Sequence, residues 1–570
     1  MDKRTIIFIV LAVAIWFAYI QFVAPVFIPK PQPEIASKEA IPESQKQDGN
    51  EGLAPSTEAP NSAGKEIPGE FKHPQDIPLK VKKITNAYFE ADISNKGAAI
   101  ESLILKQFKA NKGGGQLTLI DPANSDRYSL SLKLLQPDIN LQDVFWETVQ
   151  ETDSSIKFRY TTPGGLAVYK TFSSNKYNYS LDFSITLENL DANPVTTTLQ
   201  VNGIEKIPYE AYDFSDVTGL HAYVYKDKWY VKQKPVPAKV KGVLTLTQGQ
   251  DNVAWIGIAN KYFATILVPV AGAEFNTFNY GLVESSIAGN LAKPNAKALN
   301  LSFYLQTKEF SLKAGETKQL DFLFFGGPKK TSELEALVSF GFDKLLSYGW
   351  FGFISKILLW ILQALFSLFG NYGFAIIFLT IIVKLILFPI TKKGQVSMYQ
   401  LQKLAPRIKA LQEQYKNDKK KLGEEQLKLW KEYGVNPLSG CLPMLFQIPV
   451  FFGLYWALAQ SFELRQAPFM FWINDLSQPD QLCALPFTVL GATQLHVLPL
   501  VMTISWFIQS LTQPKSPDPQ TRQQQKIFLF MPLVFGILFY NVPSGLTLYW
   551  FISTLLGILE QLLIKKYYFK

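Results

Sequence analysis

Seven apolar runs, at 6–28, 351–369, 372–390, 441–460, 486–511, 527–542 and 545–564, approach or reach the roughly 20 residues that a helix needs to cross a bilayer. No other feature restricts the fold as strongly, and the chain reads as an integral membrane protein. Lys3 and Arg4 precede the first run, which is longer than a signal-peptide core and is followed by no small-x-small cleavage site, so an uncleaved anchor over 1–28 is expected. Cys441 and Cys483 stand at opposite ends of one expected span. They should lie on opposite sides of the membrane, beyond the reach of a disulfide.

Between the anchor and the remaining apolar runs the composition changes twice. Residues 30–77 hold seven prolines, five lysines, nine acidic residues and one aromatic. That mixture buries too little apolar surface to offset the entropy of ordering, so 29–77 reads as a disordered tether. From 78 to 330 short alternating segments such as AYFEADI, LAVYKTF, YSLDFSITL and YFATILV are separated by the turn signals NKG, NKGGG, TPGG and AGE. This is the pattern of one large β-sandwich domain.

Charge then sets the topology. The segment 392–435 carries eleven Lys or Arg against five acidic residues, and such an excess is retained in the cytoplasm. If 351–369 and 372–390 both crossed, this segment would share a side with the β-domain. The run 351–369 contains Ser355, Lys356, Gln363 and Ser367 and is therefore expected to lie at the interface within a linker, 331–371, that bends at Gly370 to Gly373. Six spans remain: 6–28, 372–390, 441–460, 495–511, 527–542 and 545–564. Both termini are then cytoplasmic and the β-domain lies outside. Lys515, Arg522, Lys526, Lys565, Lys566 and Lys570 fall inside, whereas loop 461–485 carries only Arg465 and the turn at 541–545 has no basic residue. The net charge of +9 is thereby explained by topology, and no direct nucleic-acid site is expected.

Within 392–435, Met398, Leu401, Leu404, Ile408, Leu411 and Tyr415 recur at helical spacing, followed by Leu422, Leu427, Trp430 and Tyr433. A helical hairpin turning near Asn417 and Asp418 accounts for this pattern. It either shields its own apolar stripe or forms a mobile surface that captures emerging protein segments.

Several chemistries lack their residues. GGPKKTS at 326–332 has no first glycine at phosphate-loop spacing, so ATP hydrolysis is not expected. His73, His221 and His496 are scattered and no HExxH or CxxC occurs, so no metal and no cofactor is assigned. An intramembrane serine protease with Lys384 as general base finds no GxSxG elbow, and topology puts Ser544 on the far side. No catalytic residue is assigned.

The spans do carry polar groups. Thr380 and Lys384, Ser505 and Gln509, and Trp550 and Thr554 are each four residues apart and share a helix face, and Gln447 adds a contribution from another span. A lysine at a helix centre costs about 2.5–3.5 kcal/mol on insertion scales, so these faces should turn to one wet cavity. For Lys384 the alternatives are snorkelling toward the cytoplasm and an ion pair with Glu560. For Gln447, Ser505 and Gln509 the alternative is hydrogen bonding that glues helices together.

The blocks NPLSGCLPMLFQIPVFFGLYWAL (436–458), FELRQAPFMFWINDLS (462–477), QQKIFLFMPLVFGILF (524–539) and VPSGLTLYWFIS (542–553) resemble the signature of the YidC membrane protein insertase family. Together with WIGIANKYFATILVP at 255–269, the likeness extends over nearly the whole chain and is to the Gram-negative form. The resemblance implies a bacterial inner-membrane insertase and chaperone with a periplasmic super-sandwich and a core over 372–570. Its partners would be nascent inner-membrane proteins, the phospholipid bilayer and the Sec translocon. It implies a hydrophilic groove open to cytoplasm and lipid, with the groove cation at Lys384 and further lining positions at Thr380, Gln447, Gln509 and Trp550. The family usually has arginine at the position of Lys384 and a neutral amide at that of Glu560. The chain ends six residues after Ile564, so a long basic tail for ribosome docking is not expected. A solute transporter is the competing reading, but internal repeats, common in transporter spans, are absent.

Overall fold

The computed structural model describes residues 77–568 apart from 111–113, 122–128, 176, 205–217, 226, 236–243, 250–252, 272–274, 285–298, 347, 436–441 and 514–518. The expected anchor, nearly all of the tether and Cys441 lie outside the described residues.

Strands run from Val81 to Pro328. In SLDFSITLEN, Leu181, Phe183, Ile185 and Leu187 are buried while Asp182, Ser184, Thr186 and Glu188 are partly exposed, as the two-residue period of a pleated strand requires. This strand pairs with Thr317–Pro328 so that Phe183 faces Phe322, and the two rings stack at 4.7 Å. The pairing sits inside a nine-stranded sheet, and a six-stranded and a four-stranded sheet accompany it. Phe183 and Ile185 of the first, Leu199 and Leu305 of the second, and Ile84 and Leu105 of the third share one continuous core. The β-sandwich read from the sequence is present, and its turn signals mark real reversals: Gly97, Gly165 and Gly315 have φ of 68°, 74° and 71°, a region where glycine carries no steric penalty.

One polar residue breaks the pattern. Lys170 is fully buried, with its Nζ donating to the Leu130 carbonyl and lying 4.9 Å from the Phe172 ring centre. Desolvation drives its pKa well below that of a free lysine, since among the described residues no carboxylate answers it. A base with a lowered native pKa binds fewer protons folded than unfolded, so its contribution to stability rises with pH between the two values. We expect the β-domain melting temperature to climb as pH is raised toward 10.5, with a slope of up to about 1.4 kcal/mol per pH unit from this group. Lys170→Met should flatten that slope. Because it also strands the Leu130 carbonyl, at about 1–3 kcal/mol, the slope across a pH series of thermal melts is the diagnostic, and an unchanged slope would refute the assignment.

Eight further helices follow a short one at Thr331–Glu335: α1 Gly352–Phe369, α2 Tyr372–Lys403, α3 Ala405–Gln414, α4 Lys419–Glu432, α5 Leu442–Gln460, α6 Val497–Thr512, α7 Pro519–Leu538 and α8 Ser544–Tyr568. Among the described residues α1, α2 and α8 are long and apolar enough to cross a membrane, and α5, α6 and α7 contain shorter apolar helices. Helix α1 leaves Phe353, Trp360 and Leu368 exposed. Ser355, read from the sequence as a mark of an interfacial face, is instead buried and donates to the Gly453 carbonyl of α5 at 2.8 Å. Gly370 closes α1 in the left-handed region, and the Asn371 side chain caps α2 by accepting from Gly373 and Phe374.

Two boundaries differ from expectation. Helix α2 does not end at Ile390 but passes through Pro389 to Lys403, and the break comes where Pro406 opens α3. A proline is accommodated in the first turn of a helix, and it restricts the residue before it. Helix α7 stops at Leu538 because Tyr540 is committed elsewhere: its carbonyl accepts from His496 Nδ1 at 2.7 Å and its hydroxyl from the His496 N–H at 3.3 Å.

The two parts meet after α5. Phe462 stands edge-on to Phe108, Tyr262 and Phe263 of the β-domain, with ring centres 5.1–5.9 Å away. Arg465 lies over Phe263 and donates to the Lys109 carbonyl at 2.8 Å. This seats the β-sandwich at one end of the helical bundle.

Candidate functional site

Helices α2, α6 and α8 bring three residues to one point. A Cβ placed on Gly557 of α8 would lie 2.1 Å from Gln509 Nε2 of α6 and 3.8 Å from Lys384 Nζ of α2. The missing side chain of Gly557 thus leaves the room into which an amide and an ammonium both reach. Among the described residues neither nitrogen has a hydrogen-bond acceptor. Lys384 is half-buried, while its neighbours Leu385 and Ile386 face outward. Both groups are hydrogen-bond donors, and a carboxylate or a carbonyl is the complementary acceptor chemistry.

The other expected residues are distributed around this point. Thr380 and Ser505 are buried and donate to the carbonyls four residues back, Ile376 and Val501, and Thr554 does the same to Trp550. Their hydroxyls satisfy their own helices, a usual arrangement in spans. Gln447 donates to the Tyr549 hydroxyl at 2.7 Å and so ties α5 to α8. Trp550 packs into an aromatic wall, with ring centres 4.7 Å from Phe451, 5.1 Å from Trp506 and 5.3 Å from Phe539. Glu560 accepts from Thr391, and no ion pair within 4.0 Å joins it to Lys384. Gly557 and Tyr549 were not singled out from the sequence. A glycine three residues after Thr554 on the same helix face was the signal available for the first; nothing local marks the second.

Ser544 opens α8 and donates to the Asp475 carbonyl at 2.9 Å. It stands thirteen residues before Gly557, about 20 Å along the helix, so no serine–lysine dyad forms with Lys384.

These features define a class: an integral membrane protein that carries a large β-sandwich and turns polar groups of several helices toward one another within the bundle. Residues 82–361 match the model of the YidC periplasmic domain, and residues 364–570 match that of the 60Kd inner membrane protein. The membrane protein insertase YidC of Pelobacter propionicus is 31% identical over 99% of both chains, and that of Geotalea daltonii is 32% identical over 99% of both. A crystal structure of an active YidC insertase with its first transmembrane domain resolved aligns over 86% of this chain and 95% of its own, at 19% identity and a TM-score of 0.34. The chain belongs to the YidC membrane protein insertase family. Members of that family are insertases rather than enzymes, and its domains assign this chain to the inner membrane with the β-sandwich in the periplasm.

Proposed function

We propose that the junction of Lys384, Gln509 and Gly557 is the recognition point of a hydrophilic groove through which this chain inserts inner-membrane proteins. The convergence of two unpartnered donors on a glycine, beside outward-facing Leu385 and Ile386, carries this reading. A polar segment entering hydrocarbon must leave water, at several kcal/mol per unpaired group. A partly wet groove shortens that path. Lys384 attracts acidic residues of the passing segment by up to about 4 kcal/mol at 4 Å with an effective dielectric near 20, and Gln509 donates to carbonyls. Thr380, Ser505 and Thr554 line the approach, and Gln447 and Trp550 hold α5, α6 and α8 around it. The apolar part of the substrate meanwhile slides past Leu385 and Ile386 into lipid. The apolar stretch of α7, Leu529–Leu538, is roughly 15 Å long at helical rise, and local bilayer thinning there lowers the barrier further. No fuel is required.

In the proposed topology six spans place both termini in the cytoplasm, 392–435 is the cytoplasmic segment in which the end of α2 leads into a hairpin of α3 and α4 that receives nascent segments, and α1 lies at the periplasmic interface. The insertase acts alone or beside the Sec translocon. Depletion of the protein followed by protease mapping of newly made small membrane proteins tests the function; normal insertion would overturn it. Deletion of 396–432 should abolish insertion while leaving a folded membrane core, measured as a monodisperse, thermally cooperative protein in detergent. Wild-type insertion by that deletion would reduce the segment to a solvated connector.

A further inference from the structure

The segment between α5 and α6 contains a β-hairpin, Ala484–Val489 paired with Ala492–Gln494, whose surface is unlike that of a loop in water. From Gln481 to Thr512 the chain has no Asp, Glu, Lys or Arg. Within the hairpin region Leu482, Phe487 and Leu490 are 49%, 62% and 50% exposed. An uncharged two-stranded ribbon of this kind is marginal in water and prone to edge pairing.

The backbone adds a second observation. Val489 pairs with Ala492, so the reversal is the two-residue loop Leu490–Gly491, with φ of 49° and 85°. A turn with both residues at positive φ favours Asn, Asp or Gly at its first position, because an ordinary side chain there is strained. This chain holds a leucine there and exposes it. Phe471, in the same inter-helix segment, repeats the pattern with φ 56° and 83% exposure. Two large apolar side chains are thus kept in unfavourable conformations that push them outward, an arrangement that points to a role at the tips.

The position of the hairpin identifies what covers it. It lies between the ends of α5 and α6 on the side of the β-domain, and its Leu490 carbonyl accepts from Asn541 in the turn joining α7 to α8 at 2.9 Å. Beyond it, Leu500, Ile504, Ile508 and Leu511 form one exposed apolar stripe along α6, which in a membrane faces acyl chains. The exposed apolar residues of the hairpin region, Leu482, Phe487 and Leu490, immediately precede that helix in the chain. We propose that this hairpin is a wedge in the periplasmic leaflet, burying Leu482, Phe487 and Leu490 among lipid glycerol and upper acyl groups, with Phe471 as a second contact on the same rim. Its partner is the phospholipid bilayer itself, taken by apolar insertion without a charged headgroup contact.

Cys483, exposed beside the hairpin, supplies the probe. In the full-length Cys441→Ser chain, Cys483 is the sole cysteine and can carry a polarity-sensitive dye. The protein is reconstituted in phosphatidylethanolamine–phosphatidylglycerol vesicles with or without lipids brominated near the glycerol end of the acyl chain. We expect blue-shifted emission and strong quenching by brominated lipid, and neither for a dye at Asp153→Cys in a background with both Cys441→Ser and Cys483→Ser, since Asp153 is an exposed β-domain residue. Phe487→Asp with Leu490→Asp should abolish most of the quenching. Phe487→Ser with Leu490→Asn is the second variant: asparagine tolerates the turn conformation, so thermal stability should hold while quenching falls. Water-like, unquenched emission from Cys483 overturns the proposal, as does quenching that survives both double variants. A blue shift that appears only when a membrane-protein extract is added overturns it in favour of a protein partner.

Discussion

Lys384→Glu is expected to lower insertion of substrates with acidic translocated segments by at least about tenfold, since a reversal of sign at the junction removes an attraction of up to about 4 kcal/mol and substitutes a repulsion. Lys384→Arg should retain activity, because the guanidinium keeps the charge and adds donors. Lys384→Ala should fall between them and affect acidic substrates more than neutralised ones. The competing arrangement, an internal pair with Glu560, predicts something else: Lys384→Ala would destabilise the protein by stranding a buried charge, at about 3–5 kcal/mol, and Glu560→Gln would restore it. The Glu560 carboxylate accepts from Thr391 and lies outside ion-pair distance of Lys384, although the two charges still attract one another. Thermal stability in detergent, measured beside insertion of acidic and neutralised substrates, separates the two. Equal insertion of both substrate types by a stable Lys384→Ala protein would leave snorkelling as the account of this residue.

Gly557→Leu should abolish insertion while the protein still accumulates in the membrane. Even the Cβ of Gly557→Ala, 2.1 Å from Gln509 Nε2, cannot coexist with the amide where it stands, so alanine should displace Gln509 and reduce insertion severalfold. Leucine fills the space in which Gln509 and Lys384 meet. The comparison that isolates this effect is Gly536→Ala in α7, whose Cβ would lie 2.3 Å from Thr503 Oγ1 and 3.2 Å from Thr503 Cβ and thus crowds two helices away from the junction. Gly536→Ala should lose thermal stability by an amount typical of overpacking, about 1–3 kcal/mol, whereas Gly557→Ala should lose less, because the Gln509 amide can swing aside. Only the change at Gly557 should shift the preference between acidic and neutral substrates. Insertion at wild-type rates by Gly557→Leu would place the substrate path elsewhere.

Much of this architecture was legible because its signals are local. Period-two alternation in SLDFSITLEN and glycines at NKG, TPGG and AGE specify strands and reversals from within a few residues. Apolar runs of bilayer length specify helices for the same reason, since the hydrogen bonds of a helix close within the segment. The candidate site was legible in part: a four-residue spacing puts Lys384 on the face of Thr380, and Gln509 on that of Ser505, whatever surrounds them.

What the sequence by itself determined is therefore the class of protein, the β-sandwich with its turns, and the helix faces that carry polarity. Only the tertiary structure decided where those faces meet and where several helices end. The start of α6 is capped by Asp480, whose carboxylate accepts from the Val497 and Leu498 N–H groups, seventeen and eighteen positions on in sequence, at 2.8 and 2.9 Å, and the end of α7 is set by His496 holding Tyr540. Gly557 matters through the amide of Gln509, forty-eight positions away in sequence, and the Trp550 ring packs against Phe451 of another helix. The physical reason is the same in each case: spacing along a helix fixes direction relative to its own axis, but the rotation and depth of one helix against another come from packing many side chains at once.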